Sequence, residues 1–99
     1  MKDDEFHWDD EKAASNDAQH GVSFDAARGV FKDPFAIEYI DDRYDYGETR
    51  WTVLGMAHDR LLVVAYTMRG DAIRIISARS AEPYEQRGYH EQNARDDQT

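Results

Sequence analysis

The spacing of apolar residues changes once along the chain, near residue 35. Before that point, Phe6 and Trp8 alternate with polar neighbours and predict a short first strand. Asp9 or Asp10 can then cap a helix with an acidic first turn that runs to about Gln19, and His20-Gly21 supplies the stop. Ser23 is suited to cap a second helix in which Phe24, Ala27, Val30 and Phe31 line one face, and Asp33-Pro34 ends it. From residue 35 onward, β-branched and aromatic residues gather in four runs, 35–40, 50–56, 61–68 and 72–77. The breaks at His58-Asp59 and Arg69-Gly70-Asp71 are short enough for hairpins, so the last three runs predict an antiparallel meander. The 61–68 run is apolar on both faces and belongs inside the sheet, whereas the acidic, tyrosine-bearing stretch 41–48 reads as a solvated, mobile loop. Ser80 can cap a last helix to about residue 93, with Pro83 in its first turn and Gly88 weakening it. The expected architecture is α+β, in the order β-α-α-β-β-β-β-α. It has an antiparallel sheet, two early helices on one face, one domain over 1–94 and a flexible tail at 95–99.

Composition narrows the function. A chain of 99 residues supports one modest core. It contains no cysteine, which removes disulfides, thiolate metal sites and cysteine nucleophiles and fits a reducing compartment such as the cytoplasm. No apolar run approaches the ~20 residues of a membrane helix, and residues 1–5 are too polar to begin a signal peptide. The net charge of -9 opposes binding to phosphate. Its distribution is uneven: residues 50–79 hold five arginines against Asp59 and Asp71, a balance of +3, and the remainder carries -12. Such a segment suits a confined phosphate-binding face, since the guanidinium fork matches phosphate oxygens; it equally suits a sheet with arginines on its wet side.

Five stretches in order carry a family likeness: Phe6-x-Trp8-Asp9-x-x-Lys12-Ala13-x-x-Asn16, His20-Gly21-Val22-Ser23-Phe24, Val30-Phe31-x-Asp33-Pro34, Arg60-Leu61-Leu62-Val63-Val64 and Arg74-Ile75-Ile76-Ser77-Ala78-Arg79. Together they resemble the BrnT toxin family over nearly the whole chain. The sequence departs from that family's usual pattern at Gln19, where Lys is common, and at Asp59, where Gly is common. The resemblance implies a RelE-like fold and a ribonuclease that inhibits translation and growth. It also implies neutralisation by a BrnA-type antitoxin that binds operator DNA, the two forming a hetero-oligomer. A homologue that only binds its antitoxin, and an RNA-binding module without chemistry, are the alternatives.

Metal-free RNA cleavage uses the adjacent 2′-hydroxyl as nucleophile. It needs a base for that proton, an acid for the leaving 5′-oxygen and cations for the phosphorane. Arg74 and Arg79 are the expected cations, with His20 as base or acid and Glu48 as a second candidate base. Lys12, Arg50, Arg60 and Trp8 are expected to hold RNA. Strict strand alternation puts Arg74 and Arg79 on opposite faces, so their convergence requires a bulge or the departure of Arg79 from the strand end. Lys12, Asn16 and His20 recur every four residues and share one helix face. His7, His58 and His90 have no evident company, and a solvent-facing Arg79 could be removed with little effect on stability. The acid pairs Asp3-Asp4, Asp9-Asp10, Asp41-Asp42 and Asp96-Asp97 are neighbours in sequence and unsuited to a single ion, so neither metal nor cofactor is expected.

Overall fold

The computed structural model describes residues 5–43 and 45–96. Its elements follow the expected order: β1 (Phe6–His7), α1 (Asp10–His20), α2 (Phe24–Ala27) continuing into a 3₁₀ segment (Arg28–Lys32), β2 (Ile37–Asp41), β3 (Arg50–Ala57), β4 (Arg60–Arg69), β5 (Ala72–Ser80) and α3 (Pro83–Asp96). The five strands form one sheet in the order β1-β5-β4-β3-β2. β4 lies inside it, as its two apolar faces require.

Local chemistry sets the helix ends. The Asp9 side chain accepts from Lys12 N–H at the start of α1, and Gly21 closes it in the left-handed conformation with φ 67°. The Ser23 hydroxyl accepts from Ala26 N–H at the start of α2. The β3–β4 hairpin turns through His58 (φ 51°) and Asp59 (φ 62°), the two positive dihedrals of a type I′ turn.

Three expectations are corrected. The sheet is mixed, because β1 pairs parallel with β5 while β2 to β5 form an antiparallel meander. The second helix keeps α geometry for only four residues and tightens to 3₁₀ before Asp33. Ser80 is the last residue of β5, and α3 begins at Pro83, where a fixed φ and a missing N–H suit a first helical position. Glu85, at the third helical position, accepts from Glu82 N–H and so supplies half of a capping box. α3 extends to Asp96, past the expected end of the domain; of the expected tail, residues 97–99 lie outside the described residues.

The two faces of the sheet differ. α1, α2 and the 3₁₀ segment cover one, over a core that includes Phe6, Trp8, Phe24, Val30, Leu62, Val64, Tyr66, Ile75 and Ala78. Gly55 permits close approach there, since a Cβ on it would lie 2.9 Å from Val30 Cγ1. α3 covers the other face only in part, through Tyr89 packed with Leu54, Val63 and Ala81. The Tyr89 hydroxyl donates to Asp33 at 2.7 Å, and the same carboxylate accepts from Phe35 and Met56 N–H. Among the described residues, the rest of this face is open. No helix is long and apolar enough to cross a membrane among the described residues.

Candidate active site

The open face carries the arginines because β5 contains a bulge. Arg74 pairs with Thr67 and Arg79 with Val63, while Ile76 has no register partner between Ile75 and Ser77. Thr67 and Val63 are four apart on β4 and share a face. The extra residue in β5 therefore returns Arg79 to the side of Arg74, although the two are five apart in sequence.

Among the described residues, two hollows border this face, the smaller at the sheet edge where α1 begins. The smaller, about 100 Å³, is bordered by Lys12, Arg50, Arg69 and Arg74 and by the carboxylates of Asp9 and Glu48. Four positive side chains against two negative ones leave it cationic. Glu48 Oε2 meets Arg50 Nε at 3.2 Å, and Glu48 Oε1 lies 3.5 Å from an Arg69 terminal nitrogen. Arg50 also lies over the Tyr46 ring, 4.0 Å from its centroid. Thr67 forms part of the wall and donates its hydroxyl to Thr49 O at 2.6 Å. The Lys12 N–H, held by Asp9, keeps that carboxyl below its usual value despite an opposing desolvation.

The larger hollow, about 400 Å³, begins one register row away. Its floor is the cross-strand row Tyr39, Thr52, Ala65 and Ser77, and Arg79, Tyr84, Glu85, Asp41, Asp42 and Arg43 stand around it. Arg79 grips both Glu85 oxygens, at 2.7 and 3.0 Å. That guanidinium holds the Glu85 carboxyl below its usual value. The Arg43 guanidinium does the same for Asp41, bringing it down to about 2.

The structure thus gathers Lys12, Glu48, Arg50 and Arg74 at one hollow and puts Arg79 at the other. His20 borders neither. It is exposed at the end of α1, about 12 Å along the helix axis from Lys12, so the stripe they share spans too great a length for one site. Arg60 lies at the β3–β4 hairpin and donates to Gly21 O at 3.2 Å and Ser80 Oγ at 2.7 Å, tying α1 to the sheet. Trp8 is 9% exposed and packs edge-on against Phe24, so its ring belongs to the core and cannot stack on a base. Sequence reasoning missed two neighbours of Arg74. Arg69 counted only toward the charge of its segment, and His7 was given no company because nothing in the sequence signals that β1 pairs with β5, where His7 lies opposite Arg74.

A family model described as the ribonuclease toxin BrnT of a type II toxin-antitoxin system matches residues 8–85. The chain belongs to the BrnT family. This toxin's matched region spans α1 to the first turn of α3 and so contains every residue that lines the two hollows. Membership makes it a ribonuclease toxin whose natural counterpart is a protein antitoxin. No curated protein matches the sequence.

Proposed function

We propose that the toxin is a metal-independent endoribonuclease that cleaves at the cationic hollow. The observation that carries this reading is the meeting of Lys12, Arg50, Arg69 and Arg74 around a space the size of one phosphate group, with the Glu48 carboxylate at its rim. A phosphodiester seated there has its non-bridging oxygens among fixed donors. Those donors gain strength as charge builds on the phosphorane, which is the condition for lowering the barrier rather than merely binding substrate. Glu48 takes the proton from the 2′-hydroxyl, whose oxygen attacks phosphorus, and the bond to the 5′-oxygen breaks to leave a 2′,3′-cyclic phosphate. His7, on the same face as Arg74, returns a proton to the departing oxygen, one of the two roles expected of His20. Four cationic side chains supply the charge that a divalent ion supplies elsewhere, and they would repel one.

The test is cleavage of a single-stranded RNA by the purified toxin with and without excess EDTA, alongside Arg74→Ala. Undiminished cleavage in chelator, and a loss of about a hundredfold in Arg74→Ala, are the expected results. Loss in EDTA that a divalent ion restores would overturn the metal-free reading. In cells the toxin inhibits translation and arrests growth, and a BrnA-type, DNA-binding antitoxin relieves the arrest by docking over the open face. Inducing the toxin alone and then with its operon neighbour tests both, by growth and by co-purification.

A further inference from the structure

Two chemically different hollows on one sheet face call for two different parts of a substrate. We propose that the larger hollow is a nucleobase subsite that selects a base bearing an exocyclic amino group, adenine, guanine or cytosine, over uracil. The inference rests on the cleavage site proposed above. Its charge is the first argument: three carboxylates against two arginines make this hollow slightly acidic, so it repels phosphate where its neighbour attracts it. Tyrosines are the second. Tyr84 is 64% exposed and Tyr39 47%, two aromatic rings kept in solvent at the wall and floor of a 400 Å³ space, where a base can stack. The available polar groups are the third. Asp42 is an acceptor-only carboxylate, which an exocyclic amino group can satisfy, whereas uracil offers it a single N3–H flanked by two repelling carbonyls; the hydroxyls of Thr52 and Ser77 donate or accept and suit either.

Spacing fits as well. Arg74 and Arg79 stand opposite Thr67 and Val63, four residues or about 13 Å apart along β4. A strand whose scissile phosphate sits at Arg74 therefore brings a base one to two nucleotides away over the row Thr52, Ala65 and Ser77. Arg79 serves here as a wall and not as a phosphate ligand, since Glu85 occupies both arms of its fork.

Non-cleavable 2′-O-methyl tetranucleotides, varied one position at a time, separate the subsite from the cleavage site. With the wild-type toxin, one position should favour an amino-bearing base over uracil by about tenfold in affinity. Tyr84→Ala should weaken binding about tenfold for every base, Tyr84→Phe should not, and Asp42→Ala should flatten the preference. Arg74→Ala should weaken every sequence alike and leave the preference intact. The subsite is overturned by equal binding of all bases at every position, by a preference for uracil, or by a preference that survives Asp42→Ala. Each of these can occur while the wild-type toxin still cleaves RNA at the cationic hollow. Absence of cleavage, by contrast, would remove the functional reading itself.

Discussion

β1 ends after two residues, opposite Arg74, and farther along β5 the side-chain amide of Asn16 takes up the backbone of Ala78. Its nitrogen donates to Ala78 O at 2.8 Å and Val22 O at 3.0 Å, and its oxygen accepts from Ala78 N–H at 3.1 Å. Buried backbone groups beside the β5 bulge are thereby satisfied. Asn16→Ala should cost about 2 to 3 kcal/mol, because it leaves those groups without partners, and lower the melting temperature by roughly 8 °C or more. A melting curve within a degree or two of the parent would show that the bonds carry no net stability. Arg79 calls for a similar argument. Its removal was expected to be nearly silent for folding, but it faces a Glu85 side chain only 8% exposed. Arg79→Ala strands that carboxylate and should destabilise by about 1 to 3 kcal/mol, and Arg79→Ala combined with Glu85→Gln should recover much of the loss. If the double variant melts no higher than the single one, the pair is not what holds this corner. Such roles are invisible in sequence: the stripe Lys12, Asn16 and His20 is real, but one member meets the cationic hollow, the next is a buried clamp and the last faces solvent.

Among the elements, the β4 run and the caps at Asp9, Gly21 and Ser23 were legible because local chemistry dictates them. The parallel pairing of β1 was not, since a two-residue strand has no pattern from which to infer a partner, and the position of the bulge at Ile76 leaves no mark on a run of β-branched residues. That bulge decides whether Arg74 and Arg79 share a face, so the site was legible as a set of residue types and not as a geometry. α3 shows the complementary case. It is fastened by two carboxylates: its own Glu85 on Arg79 of the open face, and Asp33, at the end of the 3₁₀ segment, on its Tyr89. The Arg79 guanidinium lowers the folded pKa of Glu85. For Asp33, burial pulls upward, but donation from Met56, Tyr89 and Phe35 prevails and the value falls below normal. Burial and the Asp33 charge also push the Tyr89 hydroxyl up to about 12. Groups with depressed folded pKa values stabilise the fold above their unfolded values, here 3.8 and 4.5, and that contribution is lost as pH falls through the folded ones. Below about pH 4.5, amide exchange should therefore accelerate in α3 before it does in β4. Simultaneous loss of protection in both would show that α3 is not a separately fastened element.

For the whole molecule, the paradox is an acidic protein that acts on RNA. A net charge of -9 is compatible with that activity only if the attraction is short-ranged and confined, which is how the four cations of the smaller hollow are placed. Glu48 and Asp9 already neutralise part of them, so between two and four phosphate contacts are available. Single-stranded nucleic acid releases about 0.7 counterion per phosphate neutralised, and the slope of log affinity against log salt should lie between about -1.4 and -2.8. At low ionic strength the slope should flatten further. The screening length there exceeds ~10 Å, so acidic groups far from the site repel the strand as well, and added salt weakens that repulsion together with the attraction. Arg74→Ala should reduce the slope by about 0.7, and Arg60→Ala, whose guanidinium is committed to Gly21 and Ser80, should leave it unchanged. Fluorescence anisotropy with a non-cleavable strand across a salt series measures all three slopes. A wild-type slope steeper than about -4 would require a broad basic surface outside the hollow, and the confined site would then be the wrong account of how this toxin holds RNA.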